Sequence, residues 1–237
     1  MKILGIDGSG LVASVAIVED DNLIGEYTTG YKKTHSQTLL PMLDTLSKMV
    51  ELDLNTIDAI AVAAGPGSFT GLRIASATAK GLGFTLDCPI ISVPTVDALA
   101  YNMWGNKSLI CPIMDARRGQ VYTGLYQFDD NNDFVVVKEQ CAVDFNEIAD
   151  DINKIGRPVV FLGDGVPVFR EKIESVVQVP YSLAPAHLNR QHAAAVATYG
   201  MQLYNAGQFE SAADHRPEYL RLSQAERERL EKGKPIE

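Results

Sequence analysis

The sequence has few cysteines and no long apolar run, and each shortage excludes a class of protein. The three cysteines, Cys88, Cys111 and Cys141, are odd in number and show no C-x-x-C spacing, so the sequence predicts neither a disulfide framework nor a cysteine zinc site. No apolar segment approaches the roughly 20 residues of a membrane span, and the start MKILGIDGSG is too short in apolar residues for a secretory signal. These features predict a cytoplasmic protein without a membrane partner.

Histidine and positive charge are also scarce. The four histidines, His35, His187, His192 and His215, form neither H-E-x-x-H nor a pair four residues apart, so the sequence predicts no zinc hydrolase site. With 30 acidic and 21 basic residues, the formal net charge is −9. This charge argues against a chain that grips nucleic acid alone by neutralising phosphates.

What the sequence does contain is an α/β pattern that occurs twice, in residues 1–104 and 105–220. In each part an apolar strand closes on an aspartate, Asp7 or Asp115, and a short turn and two more strands follow. The pattern predicts a duplicated α/β unit, each with a mixed sheet flanked by helices. The charge-dense tail at 221–237 is expected to be solvated or to contact a partner.

Helices and strands follow from the spacing of apolar residues. The first helix has leucines at helical spacing, and Pro41 fits only if that helix begins near Thr38, so that the proline lies in the first turn. Residues 176–180 are predicted as a strand. The predicted helices cover residues 38–51, 70–84, 95–104, 144–154, 166–174 and 186–207.

The segment GPGSFTGLR at 65–73 joins a predicted strand to a predicted helix, a position where many proteins bind phosphate. The segment is not a P-loop, because no lysine follows Gly71. It is not a dinucleotide fingerprint either, because Gly71 comes one residue too late. Ser68 lacks the glycine spacing of a nucleophile elbow. Two interpretations remain: a tight turn with Ser68 or Thr70 capping the helix, or an anion site. The capped helix is the simpler one.

The helix after this loop is rich in small residues, among them Ala75, Ala77 and Gly81. Small side chains let another helix approach closely. Together with the apolar helix before it, this helix is interpreted either as core packing or as a docking surface for another protein. The sequence favours neither interpretation over the other.

Asp7 and Asp115 are the best candidates for carboxylates near a divalent ion or a phosphate, because equivalent strand ends would let them face each other across a cleft. The alternative is that each accepts backbone N–H bonds from its own turn. An ATP-dependent kinase or ATPase would add the GDG turn, Gly163 to Gly165, around a nucleotide. A peptidase would need a metal site or a nucleophile, and the sequence contains no motif for either.

Five segments carry a resemblance that spans nearly the whole chain: KILGIDGS, THSQTLLPML, GPGSFTGLRI, MDARRGQVY and RPEYLR, in that order. They resemble the bacterial TsaB (YeaZ) family of the actin, sugar kinase and Hsp70-like superfamily. The resemblance implies two duplicated ribonuclease-H-like (actin-like ATPase) units, in agreement with the repeat. It also implies a non-catalytic subunit that supports threonylcarbamoyl transfer to N6 of the adenosine next to the anticodon, in tRNAs reading codons that begin with A.

The resemblance implies partners as well. The catalytic subunit TsaD and the ATPase TsaE are expected to use ATP and a divalent metal, whereas this chain has no cofactor of its own and meets tRNA only indirectly. A nucleotide contact at the first turn does not follow, since Gly8, Ser9 and Gly10 stand where relatives more often carry threonine, serine or alanine. The partner surface, also expected to support self-association, is formed by the two helices of the first unit, with contacts from Leu39, Leu43, Leu46, Val50, Thr70, Arg73, Ile74 and Ala77.

Overall fold

The structure is a computed structural model that describes residues 1–31 and 34–221, so the predicted tail lies outside it from residue 222 onward. Within these ranges ten strands form two five-stranded sheets. The strands are β1 (Lys2–Asp7), β2 (Ala13–Glu19), β3 (Asn22–Thr29), β4 (Ala59–Gly65), β5 (Ile90–Pro94), β6 (Leu109–Asp115), β7 (Gln120–Phe128), β8 (Phe134–Asp144), β9 (Val159–Leu162) and β10 (Tyr181–Leu183).

The two sheets share one strand order, which confirms the predicted duplication. The first sheet runs β3-β2-β1-β4-β5 and the second β8-β7-β6-β9-β10. In each sheet the first three strands are antiparallel neighbours, and the last two join in parallel. Asp7 and Asp115 therefore end equivalent central strands, β1 and β6.

Helices cover both sheets and join them. Leucines of the first helix pack with apolar residues of the first sheet, and the second helix lies beside it on the same face. The third helix contacts the sixth helix and the second sheet, while the sixth packs on the first sheet, so the two sheets share packed elements. None of the helices described is long and apolar enough to cross a bilayer. The helices are α1 (His35–Met49), α2 (Phe69–Leu86), α3 (Thr95–Tyr101), α4 (Phe145–Ile155), α5 (Val166–Val176) and α6 (Ala193–Asn205).

The predicted start of the first helix is wrong, because α1 begins at His35 rather than near Thr38 and encloses Pro41. Its first turn, His35 to Gln37, contains no apolar residue, so the hydrophobic pattern begins only after the helix has started. Pro41 removes one helical N–H and lies on the exposed side. Packing of the leucine stripe on the sheet offsets that loss.

The strand predicted at 176–180 is also wrong, since α5 continues to Val176 and β10 begins at Tyr181. The side chain of Asn153 binds backbone groups that would otherwise pair with a neighbouring strand. Its Nδ2 donates to the Val176 carbonyl oxygen at 2.9 Å, and its Oδ1 accepts from Gln178 N–H at 2.8 Å. The valines here pack on the core of the second unit.

The helix predicted at 186–207 is much shorter than expected, because α6 covers only Ala193–Asn205. Asn102 explains the difference: its Nδ2 donates to the carbonyl oxygens of Leu188 and Arg190 at 3.2 and 2.7 Å. The carbonyl oxygen of Asn189 accepts from Gly163 N–H at 3.1 Å. These carbonyls bind tertiary partners instead of closing helical turns. The helix predicted at 95–104 is shorter as well, because α3 ends at Tyr101.

Candidate functional site

The glycine-rich loop is the capped start of α2, as the simpler interpretation predicted. Ser68 is the N-cap, and its hydroxyl oxygen accepts a hydrogen bond from Gly71 N–H at 3.3 Å. The N–H of Ser68 itself donates to the carbonyl oxygen of Ser9 at 2.6 Å. A backbone donor that an anion site would need is therefore already bound within the chain.

The same loop lies directly against the turn that follows β1. A Cβ atom added at Gly67 would overlap the carbonyl oxygen of Ser9, and one added at Gly71 would overlap that of Gly8. Only glycine permits so close an approach of two backbones. Gly8 and Ser9 are buried. The turn that a nucleotide phosphate would have to reach is thus covered by the loop.

Asp7 and Asp115 each bind the backbone of their own turn, as the alternative interpretation stated. Asp7 is 1% exposed, and its Oδ1 accepts from the N–H and hydroxyl of Ser9 at 2.8 and 2.6 Å. Asp115 Oδ1 accepts from Arg117 N–H at 2.8 Å, and its Oδ2 lies 3.3 Å from that residue's guanidinium. Burial raises the pKa of Asp7 to about 6, although the bonds from Ser9 lower it.

We expect Asp7→Asn to stabilise the protein, and more at pH 8 than at pH 5. The folded-state pKa is raised above the ordinary 3.8, so stability from protonated Asp7 is present below pH 3.8 and is lost as the pH rises through about 6. Above pH 6 the ionised Asp7 destabilises the folded protein by about 3 kcal/mol, and asparagine removes this cost. Because asparagine is a weaker acceptor for Ser9, the net gain in the free energy of unfolding is about 1–2 kcal/mol.

Urea denaturation of both proteins at the two pH values measures this effect. The gain in the free energy of unfolding should be larger at pH 8 by about 1 kcal/mol. An equal gain at both pH values would show that Asp7 does not titrate between them, which would contradict the burial of its charge.

The glycines of the GDG turn serve close packing against β6. A Cβ atom at Gly163 would overlap the carbonyl oxygen of Ile113, and one at Gly165 would approach the same atom to 2.8 Å. Between them, Asp164 Oδ1 accepts from Asp115 N–H at 3.2 Å, and burial raises the pKa of Asp164. These contacts account for the turn within the fold, and its predicted nucleotide contact stays a prediction.

One polar cluster near Asp7 was not predicted from the sequence. Glu26 on β3 accepts from Ala194 N–H at the start of α6 at 3.0 Å, and its other oxygen lies 3.0 Å from His192 Nδ1. Burial raises the pKa of Glu26, but the bonds from His192 and Ala194 outweigh it and leave the pKa lowered. Bonding to Glu26 raises the pKa of His192. No local pattern connects residues so far apart in the chain.

Three residues predicted for partner contact lie in the core. Leu39, Leu43 and Leu46 are 1%, 5% and 6% exposed and pack with the first sheet. The apolar stripe of α1 is therefore core packing, and these side chains cannot meet a partner directly while the domain is folded. Val50 and Ile74 are half-buried against the same core.

The exposed part of the predicted partner surface lies on α2. Thr70, Arg73 and Ala77 are all exposed. Because they are spaced by three and four residues, they share one face of the helix. That face continues through the exposed Gly81 and Phe84. We call these five residues the α2 face. Their contact with a partner stays a prediction.

Arg73 on the α2 face is held by two aromatic residues. Its guanidinium carbon lies 3.9 Å from the ring centroid of Phe69, and its Nε donates to the hydroxyl of Tyr219 at 3.2 Å. The rings of Phe69 and Tyr219 are 4.8 Å apart. Tyr219 belongs to the RPEYLR segment, and no local sequence pattern predicts that this segment contacts α2.

Two features of the described residues bear on the peptidase alternative. In residues 1–31 and 34–221, no three His, Cys, Asp or Glu side chains are placed to hold a metal ion. Cys111 is fully buried, and burial raises the pKa of its thiol to about 12. Such a thiol has very little of the thiolate form that acts as a nucleophile.

Comparison with known sequences identifies relatives over the whole chain. The family model for TsaD, tRNA N6-adenosine threonylcarbamoyltransferase, matches residues 22–229. A Bacillus subtilis (strain 168) protein named tRNA threonylcarbamoyladenosine biosynthesis protein TsaB is 36% identical over 241 residues, covering 99% of this chain and 100% of that protein. Escherichia coli (strain K12) TsaB is 35% identical over 133 residues, which cover 55% of this chain and 57% of that protein.

A solved structure agrees with these matches. A Pseudomonas aeruginosa protein, described as uncharacterized with similarity to the peptidase YeaZ, superimposes with a TM-score of 0.80 at 26% identity, covering 93% of this chain and 99% of that one. The agreement extends over both sheets, because nearly the whole chain is covered. The chain belongs to the TsaB family of tRNA threonylcarbamoyladenosine biosynthesis proteins.

Proposed function

We propose that the protein acts in tRNA threonylcarbamoyladenosine biosynthesis as a non-catalytic subunit. It docks on the threonylcarbamoyltransferase TsaD and supports it together with the ATPase TsaE in the cytoplasm. The observation that carries this proposal is the full-length similarity to a protein named TsaB. ATP and a divalent metal belong to the partner subunits, and tRNA contact is indirect.

The local geometry supports a subunit without chemistry of its own. The turn after β1 is covered by the glycine loop, and Asp7 and Asp115 bind their own turns. A kinase of this architecture would need that turn open to phosphates. A metallopeptidase would need a metal group, and no three His, Cys, Asp or Glu side chains in the described residues are placed to hold one. A cysteine peptidase would need a reactive thiol, and that of Cys111 is buried with a raised pKa.

We assign docking to the α2 face and the neighbouring exposed side of α1. Because the TsaD family model matches this chain, TsaD is expected to share its fold and to present an equivalent helix pair. The small Ala77 and Gly81 let a partner helix approach the α2 backbone closely. Exposed apolar side chains on both helices, including Phe84 and Met49, supply area for burial. The same surface is expected to support self-association of the isolated chain.

Reconstitution from purified components tests the proposal. The chain is mixed with TsaD, TsaE, L-threonylcarbamoyl-adenylate and tRNA, and each component is omitted in turn. We expect the modified nucleoside, measured by mass spectrometry of digested tRNA, to be lost when this chain is absent. Full modification without the chain would contradict the proposed role.

Calorimetry separates this function from the enzyme alternative. Titrating ATP with magnesium into the isolated chain is expected to give no binding heat, because the turn after β1 is covered by backbone. Binding with a micromolar dissociation constant would instead support an ATP-dependent kinase or ATPase.

A further inference from the structure

The segment 216–221, here called the C-terminal strap, bridges the two sheets. The N–H of Glu218 donates to the carbonyl oxygen of Ala64 at the end of β4 at 2.7 Å. Its carboxylate accepts from Gln140 on β8 at 3.2 Å, and the guanidinium of Arg221 donates to the carbonyl oxygen of Ala116 after β6. The strap thus crosses the ends of strands from both sheets.

The chain leading into the strap is fixed to α2 as well. Lys80 Nζ donates to the carbonyl oxygens of Ala213 and His215 at 2.9 and 2.8 Å. The imidazole of His215 is buried, with its Nδ1 2.8 Å from Ser92 Oγ on β5. The strap therefore leaves an anchored position before it reaches Tyr219.

Tyr219 is where the strap meets the α2 face. Its hydroxyl accepts from Arg73 Nε, and its ring contacts Phe69, whose face carries the Arg73 guanidinium. The Phe69 ring and the bond at Nε already restrict the Arg73 guanidinium. It therefore loses less conformational entropy when its Nη groups bind an anion. Because Nε is already used, an anionic ligand would be met by those Nη groups.

We propose that Tyr219 is a positioning residue, which orients Arg73 for a carboxylate on the protein that docks on the α2 face. The inference rests on the proposed docking of TsaD. Among protein side chains, a carboxylate matches the planar, forked donors of arginine. The strap then has a role in recognition, because it holds the phenol of Tyr219 against the docking surface.

A double-mutant cycle in the full-length chain tests this inference. The variants are Tyr219→Phe, which keeps the ring but removes the hydroxyl, Arg73→Ala, and both together. The matched control is Tyr181→Phe, since Tyr181 and Tyr219 are each 39% exposed. The dissociation constant for TsaD is measured at about 0.05 and 0.3 M salt, and thermal unfolding of each variant is recorded.

We expect Tyr219→Phe to raise the dissociation constant about fivefold and Arg73→Ala about tenfold or more. The double variant should bind no more weakly than Arg73→Ala alone, because the hydroxyl acts only through the arginine. Both single variants should also reduce the salt dependence of binding. Tyr181→Phe should bind like the parent, and all unfolding temperatures should stay close to the parent value.

Parental affinity in Tyr219→Phe would overturn the inference while leaving the docking proposal intact. Effects that multiply in the double variant would also overturn it, since Tyr219 would then act independently of Arg73. If the parent chain itself does not bind TsaD, both the proposed function and this inference fail.

Discussion

Replacing Gly71 by alanine is expected to destabilise the protein by about 3 kcal/mol, although the same change at Gly81 in the same helix should stabilise it. A Cβ atom at Gly71 would overlap the carbonyl oxygen of Gly8, which is backbone and cannot rotate away. Relief requires α2 to move from the turn after β1, and that movement would disturb the Ser68–Ser9 hydrogen bond.

Gly81 is the matched control, because it is exposed and a Cβ atom there meets nothing within 4 Å. Alanine at an open helical position lowers the backbone entropy lost on folding and is favourable by about 1 kcal/mol. Urea denaturation measures both free energies of unfolding. Stabilisation by both substitutions would mean that the glycine loop and the turn after β1 are not in contact. The conclusion that the loop covers this turn would then be wrong.

The parts of the fold that local patterns specify were predicted well. Helix α4, Phe145–Ile155, begins and ends within one residue of the predicted 144–154, because Asp144 caps its start and Gly156 follows its end. The duplication was predicted because an apolar strand ending in aspartate begins each unit, and the shared strand order confirms it. A cap at Ser68 or Thr70 was predicted from residue type and position, and Ser68 is the N-cap.

Several predictions fail where residues distant in the chain bind backbone groups or cover a helix face. Asn102 binds the carbonyls of the segment before α6, and nothing in that segment reveals it. The leucine stripe of α1 was assigned to partner contact, but periodicity reports only that a face is apolar. Whether that face meets its own sheet or another protein depends on tertiary structure. The contact between Arg73 and Tyr219 is hidden for the same reason.

Ala77→Glu is expected to abolish the complex with TsaD while the fold survives. Ala77 is exposed in the middle of the α2 face, so a larger charged side chain can remain in solvent in the free protein. In the complex, its carboxylate would be desolvated where the partner helix packs. It could pair only with Arg73, four residues away on the helix, and would then displace the partner's carboxylate, so one charge is left unpaired in either case. A charge left unpaired at an interface centre costs about 2–5 kcal/mol, or at least about a thirtyfold loss of affinity.

The test requires an exposed position, so that loss of binding is not caused by unfolding. At the buried Leu43, a charged residue would unfold the first sheet's core, and lost binding would then say nothing about docking. Ala186→Glu is the matched control, since Ala186 is exposed outside both helices. Size-exclusion chromatography with TsaD, beside circular dichroism of each variant, should separate Ala77→Glu from the control. A folded Ala77→Glu variant that still elutes with TsaD would place the docking surface elsewhere on the molecule.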